Sequence, residues 1–176
     1  MTQSVPVDPI QTAVNRGDEF EKQANAIIRK YTLASTAAGL IPVLGLDVAA
    51  SATSQVFMIR ELADLYHIEH EGKLSQVVMT SALGSAIART ATFLIAAVVP
   101  GAKAGLGGGS QIAAAAVSGI YTATAGEFYK LHFRDGGTLD DVNINDFTNY
   151  FIDEVKRGDI SLSTFTNPTK LASYLF

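Results

Sequence analysis

The spacing of hydrophobic positions along the chain predicts an all-helical protein. From the N-terminal region to about residue 133, apolar residues recur every three or four positions, the period of one face of an α-helix. Turn-forming stretches divide this pattern into four predicted helices, over residues 8–40, 48–66, 74–99 and 110–133. The apolar stripe of the first helix consists of Phe20, Ala24, Ile27, Ile28 and Tyr31. One face of the second helix consists of Val48, Ser51, Gln55, Met58, Ile59, Leu62 and Tyr66. A shorter amphipathic helix follows, with one apolar face formed by Ile144, Phe147, Phe151 and Val155.

Two proline–glycine corners join the long helices in pairs. At the first corner, Pro42 disfavours helix at the preceding residue, Gly45 permits an unusual backbone angle, and Asp47 can cap the helix that follows. Pro100 and Gly101 form a similar corner between the third and fourth helices. The predicted fold class is therefore all-α, with two tandem apolar helical hairpins followed by a C-terminal amphipathic helix.

Composition divides the chain into three predicted parts. Residues 1–17 form a polar N-terminal segment, residues 18–134 an apolar helical-hairpin domain, and residues 135–176 a polar and aromatic C-terminal tail element. The first segment has no basic stretch followed by an apolar one, so no secretory signal is expected there.

The chain is unusually apolar for its size. Hydrophobic residues make up 48% and charged residues 17%, against a typical charged share of about 25%. The apolar surface is therefore expected to meet a membrane or other protein chains. The net charge of -4 and the lack of a long basic run argue against nucleic acid as a partner.

No catalytic, cofactor or metal site is predicted. If Ser110 in the glycine-rich stretch is aligned with the hydroxyl of a phosphate-binding loop, Gly109 occupies the position that requires lysine. His67 and His70 have a spacing that can share a metal in a helix, but they lack the HExxH arrangement, and a solvated helix end is favoured. The chain has no cysteine.

A few residues within the apolar helices are candidates for buried or paired positions. Arg89 is the lone charge in the third predicted helix, and the alternatives are pairing inside a bundle or reaching outward to water. Glu127 is its candidate counter-ion, with Lys130 as an anchor reaching outward, and Gln55 is a further candidate buried polar group. Close helix contact is expected at the small residues Ser81, Gly84 and Ala88.

The stretch IPVLGLDVAASATSQVFMIRELADLY, residues 41–66, resembles the YcjF-type domain of unknown function, the bacterial family numbered 697. The matching positions are Ile41, Pro42, Gly45, Asp47, Gln55, Met58, Ile59, Leu62, Ala63 and Tyr66. Val99-Pro100-Gly101 resembles the second corner of that family, and Gly126, Phe128 and Tyr129 resemble its closing helix.

The resemblance covers roughly residues 25 to 133, and the tail after Arg134 lies outside it. The usual glycine after the tyrosine is His67 here, so a different turn is expected. The resemblance implies an all-helical, membrane-associated domain of a family often found beside or fused to small GTPases, and it implies no enzymatic activity.

Hydropathy predicts no strong single membrane span. Residues 104–126 are free of charge, but glycine, serine and threonine weaken them, and residues 31–46 are short and contain Pro42. We therefore expect a non-enzymatic, membrane-associated, self-assembling helical protein with a scaffold, membrane-shaping or adaptor role. Two hairpins that dip into one leaflet, or helices that bury each other in an oligomer, fit better than four ordinary spans. The expected location is the cytoplasmic side of a bacterial inner membrane or of an internal compartment.

The expected partners are membrane lipid, further copies of the chain and, from the resemblance, a small GTPase. The alternative is a soluble helical bundle that binds a small GTPase or another protein. A nucleotide or metal enzyme ranks third.

Overall fold

The computed structural model describes residues 9–39, 46–73 and 111–157. These residues form four α-helices: α1 (Pro9–Ala38), α2 (Leu46–Leu65), α3 (Gln111–Arg134) and α4 (Ile144–Arg157). The three described ranges contain no strand, so the predicted all-α class is confirmed. Both predicted corners, residues 40–45 and 99–101, and the predicted helix over residues 74–99 lie outside the described residues.

The helices α1, α2 and α3 pack together, with α1 antiparallel to the other two. The hydroxyl of Ser118 on α3 lies 2.9 Å from that of Ser35 on α1 and 2.5 Å from that of Ser51 on α2. Farther along α3, Lys130 contacts Glu21, which lies near the beginning of α1. The helices α1 and α3 therefore run in opposite directions.

The helices α2 and α3 are parallel. Ser51 contacts Ser118 and Gln55 contacts Thr122, each pair separated by 67 positions. The ring contact between Tyr66 and Phe133 keeps this offset to the end of both helices.

The apolar positions predicted for the first helix form its buried side. Ala24 and Ile28 belong to the core, and Ile27 and Tyr31 pack against it. The neighbouring helices complete this core with the buried side chains of Met58, Ile59, Leu62, Ile120, Tyr129 and Phe133. The hydrophobic periodicity therefore identified the correct face of α1.

The short helix α4 packs on α3 through aromatic rings. The ring of Phe147 lies 5.6 Å from that of Tyr121 and 5.3 Å from that of Phe128, measured between centroids. Phe151 also contacts Tyr121, at 6.0 Å. Phe147 and Phe151 are both buried, so this part of the tail packs against the bundle, and the domain boundary after residue 134 stays a prediction.

The ends of α2 and α3 have the same backbone arrangement. The amide of Ile68 donates to the carbonyl of Ala63, and His67 has a φ of 57°. After α3, the amide of Gly137 donates to the carbonyl of His132, and Gly136 has a φ of 89°. This helix end requires a left-handed residue, usually glycine. His67 adopts that conformation, at a cost of about 1–2 kcal/mol for a residue with a side chain.

A buried ammonium group links α1 to α3. The Nζ atom of Lys130 lies 3.0 Å from Glu21, 2.9 Å from Asn25 and 2.7 Å from Glu127, all measured to side-chain oxygens. Burial works to lower the pKa of Lys130, but its hydrogen bonds to Glu127 and Glu21 outweigh burial and raise the pKa. Lys130 therefore stays charged at neutral pH, and it lies inside the bundle, contrary to the expected outward anchor.

We expect removal of the Lys130 charge to destabilise the bundle more than removal of an exposed counterpart. Lys130→Met should cost about 1–3 kcal/mol of unfolding free energy, less than for a fully buried pair because both carboxylates are partly in water. Lys30→Met removes the exposed pair with Glu61 and should cost less than about 1 kcal/mol. Urea unfolding followed by circular dichroism measures both, and equal costs would contradict the structural role of Lys130.

Two glycines in helices provide a second test of the packing. A Cβ atom at Gly126 would lie 2.8 and 2.9 Å from two carbons of Ile28, whereas a Cβ atom at Gly17 would meet nothing within 4 Å. Gly17→Ala should stabilise the protein by about 0.5–1 kcal/mol because alanine favours helix. Gly126→Ala has the same gain in helix preference, but the new methyl group overpacks the contact with Ile28. The net result should be a loss of about 1–3 kcal/mol of unfolding free energy. Equal stabilisation in thermal unfolding would show that α1 and α3 do not meet closely at Gly126.

Candidate functional site

The helices α1, α2 and α3 lose their charged residues toward the same end of the bundle. Residues 31–38, 48–59 and 111–126 contain no aspartate, glutamate, lysine or arginine. The helix directions bring these three stretches together, and we refer to them as the charge-free end. At 1.5 Å per residue they extend for about 12 to 24 Å. Asp47 lies in the first turn of α2, at the far limit of this end.

A seam of polar side chains runs through the interior of the charge-free end. This polar seam consists of Thr32, Ser35, Ser51, Gln55, Ser118 and Thr122. Thr122 donates a hydrogen bond of 2.8 Å to Ser35, and the Gln55 amide donates one of 3.3 Å to Thr122. With the contacts of Ser118, these bonds connect all three helices through neutral polar groups.

Two oxygens of the polar seam have no hydrogen-bond partner among the residues that the structure describes. They are the hydroxyl oxygen of Thr32, which is fully buried, and the amide oxygen of Gln55, whose side chain is almost fully buried.

The outer surface of the charge-free end is mostly apolar: Leu33, Ala34, Ala37 and Phe57 are exposed, together with Thr53. Leu33 and Phe57 are 48% and 50% exposed, and they are the large exposed hydrophobic side chains of the described ranges. Each lies one helical turn from the ion pair of Lys30 and Glu61, on the side toward the charge-free end. The two side chains therefore belong to one outward surface of α1 and α2, which the exposed Ala37 extends.

The other end of the bundle has the usual arrangement of a protein in water. Apolar side chains such as Ala24, Leu62 and Phe133 are inside, while Asp18, Glu19 and other charged residues are exposed. We call this the charged end, comprising residues 16–30, 60–73 and 127–134. Its charged surface resembles that of an ordinary soluble bundle, and only the charge-free end departs from this pattern.

The structure places three of the residues singled out in the sequence. Gln55 is buried within the polar seam, Glu127 contacts Lys130 at 2.7 Å, and Asp47 lies in the first turn of α2. The remaining candidates lie outside the described residues: Pro42, Gly45, Ser81, Gly84, Ala88, Arg89, Pro100 and Gly101.

The histidine pair lies in the turn after α2 and not within a helix. The Nδ1 atom of His70 is 3.5 Å from a carboxylate oxygen of Asp64, and the side chain of His67 is exposed. Within the described ranges, no three histidine or carboxylate side chains are grouped as metal ligands.

Sequence reasoning missed most of the polar seam. It placed Ser51 and Gln55 on one face of α2, but it assigned no partner to Ser35, Ser118 or Thr122. The available signal was the spacing of four between polar residues in otherwise apolar helices, Ser51 with Gln55 and Ser118 with Thr122.

No helix in the described part of the chain is both long enough and apolar enough to cross a bilayer.

Comparison with known proteins identifies the family. The model of the Domain of unknown function (DUF697) matches residues 11–157. Magnetosome membrane protein 22 of Magnetospirillum gryphiswaldense is 25% identical over 139 residues, covering 77% of this chain and 70% of that protein. No solved structure matches the chain significantly.

The family match extends farther than the sequence motifs indicated. It includes α4, so the expectation that the tail after Arg134 lies wholly outside the family pattern is wrong. The contacts of Phe147 and Phe151 with α3 give the physical reason, because α4 completes the packing of that helix. With most of its length matched, the chain belongs to the DUF697 family.

Proposed function

We propose that the protein is a non-enzymatic membrane-binding protein that inserts its charge-free end into one leaflet of a bilayer. The observation that carries this proposal is the distribution of polarity at that end. Hydrogen-bonded serine, threonine and glutamine side chains face the neighbouring helices, while Leu33 and Phe57 face outward. Small and polar residues between helices with apolar residues outside are typical of helix packing within membranes.

The dimensions of the charge-free end support insertion into one leaflet. It extends for about 12 to 24 Å along the three helices. The hydrocarbon core of a bilayer is about 30 Å thick, so one leaflet provides about half of this depth. A charged residue at the bilayer centre costs several kcal/mol. Residues 31–38, 48–59 and 111–126 contain none, and Asp47 lies at their far limit, in the first turn of α2.

The similarity to a magnetosome membrane protein also supports membrane association. In this proposal the charged end and α4 remain in water, where they form a platform for other proteins. The role is then that of a scaffold or adaptor.

There are two alternatives to membrane insertion. In one, several copies assemble through the surface of Leu33 and Phe57 in place of lipid contact. In the other, the protein is a soluble module that binds a small GTPase.

Replacing the two exposed apolar side chains should weaken vesicle binding. Each is already half exposed, so its transfer to hydrocarbon contributes about 1 kcal/mol. The double variant Leu33→Ser, Phe57→Ser should therefore bind phosphatidylcholine vesicles about 10- to 30-fold more weakly than the unaltered protein. Vesicle flotation over a range of lipid concentrations measures this difference.

A matched control separates surface contact from general damage. Glu19→Ser with Lys22→Ser changes two exposed residues at the charged end without changing the net charge, and its vesicle binding should stay unchanged. Equal binding by both double variants would contradict insertion through Leu33 and Phe57. If the unaltered protein does not bind vesicles and is a monomer, the result would favour the soluble module. If it does not bind vesicles and is an oligomer that the Leu33 and Phe57 substitutions dissociate, the result would favour self-assembly.

A further inference from the structure

The boundary between the charge-free end and the charged end is marked by the first charged residues on each helix. These residues are Arg29, Lys30, Arg60, Glu61 and Glu127. They lie at a similar height along the bundle, since Lys30 contacts Glu61 across α1 and α2, and Gly126 lies against Ile28. The boundary is therefore a narrow zone around the bundle, at the level where lipid headgroups would lie under the proposed function.

Three of the boundary charges have partners of opposite sign. Lys30 lies 2.6 Å from Glu61, and Glu127 lies 2.7 Å from the buried Lys130. Arg29 and Arg60 form no ion pair with any residue in the described ranges. Arg29 is exposed and Arg60 is partly exposed. Among the described residues, the guanidinium groups of Arg29 and Arg60 are therefore the boundary charges without an ion-pair partner.

The acidic excess of the protein lies farther from the charge-free end. The net charge is -4, and many of the carboxylates come from the beginning of α1 and from the turns that follow α2 and α3. These carboxylates are Asp18, Glu19, Glu21, Glu69, Glu71, Asp135, Asp140 and Asp141. An acidic protein is repelled by an anionic surface unless its cations face that surface. Here Arg29 and Arg60 lie at the boundary, whereas these carboxylates lie farther from the charge-free end.

We propose that Arg29 and Arg60 bind the phosphates of anionic phospholipids and so set the depth to which the charge-free end inserts. This inference rests on the proposed function. A guanidinium group presents several donors in a plane and binds phosphate through two parallel hydrogen bonds. Long arginine side chains can also lie along an apolar surface while their charged ends reach the headgroups. The partner is therefore an anionic lipid surface, with phosphatidylglycerol as the probe.

The experiment compares two variants with the same change in charge. Arg29→Gln with Arg60→Gln removes the boundary arginines, whereas Arg16→Gln with Lys22→Gln removes two exposed cations from the charged end. Affinity is measured by flotation with phosphatidylcholine vesicles and with vesicles that also contain phosphatidylglycerol, at equal ionic strength. Circular dichroism checks that both variants keep their helical content.

We expect the unaltered protein to bind the anionic vesicles more tightly than the neutral ones. The boundary variant should lose about fivefold in affinity per arginine on anionic vesicles and little on neutral ones. The charged-end variant should keep the preference, and high salt should remove it from the unaltered protein.

The results separate this inference from the proposed function. Equal binding of the unaltered protein to both kinds of vesicle, or an equal loss in both variants, would overturn the role of Arg29 and Arg60 and leave insertion standing. Absence of binding to either kind of vesicle would overturn the proposed function itself.

Discussion

The hydroxyl group of Ser118 fixes the arrangement on which the rest of the bundle depends. It lies within hydrogen-bond distance of Ser35 on α1 and Ser51 on α2, so one side chain sets the position of three helices along a common axis. The same register aligns Gln55 with Thr122 and brings Lys130 to Glu21. A different register would separate these polar partners inside an apolar core, at a cost of about 1–3 kcal/mol for each buried group left unpaired.

This register also creates the division between the two ends. Each of the three helices carries its charges on only part of its length. If α2 ran antiparallel to α3, their charge-free stretches would lie at opposite ends, and no continuous apolar surface would form. The observed directions bring the stretches together, and the Lys130 cluster secures α1 to α3 within the charged end. The proposed membrane insertion is therefore a consequence of helix direction as much as of composition.

The sequence predicted individual helices better than their arrangement. Periodicity located the buried side of α1 at Ala24 and Ile28, because a helical face can be recognised from spacing alone. It could not show that Ser35 meets Ser118, which is 83 positions away, since spacing identifies a face but not the helix that covers it. Lys130 was misplaced for a related reason. Its partners Glu21 and Asn25 lie more than 100 residues earlier in the chain, and together with Glu127 they make a buried ammonium favourable.

The central claim is that the charge-free end enters the hydrocarbon while the charged end stays in water. The chain contains no cysteine, so a single nitroxide label can be attached at Ala37→Cys or at Glu19→Cys, both exposed positions on α1. The measurement is the accessibility of each label to oxygen and to a water-soluble nickel complex, before and after adding vesicles. We predict that the label at position 37 becomes protected from nickel and accessible to oxygen, while the label at position 19 remains accessible to nickel. Equal nickel accessibility of both labels in the vesicle-bound protein would contradict the account.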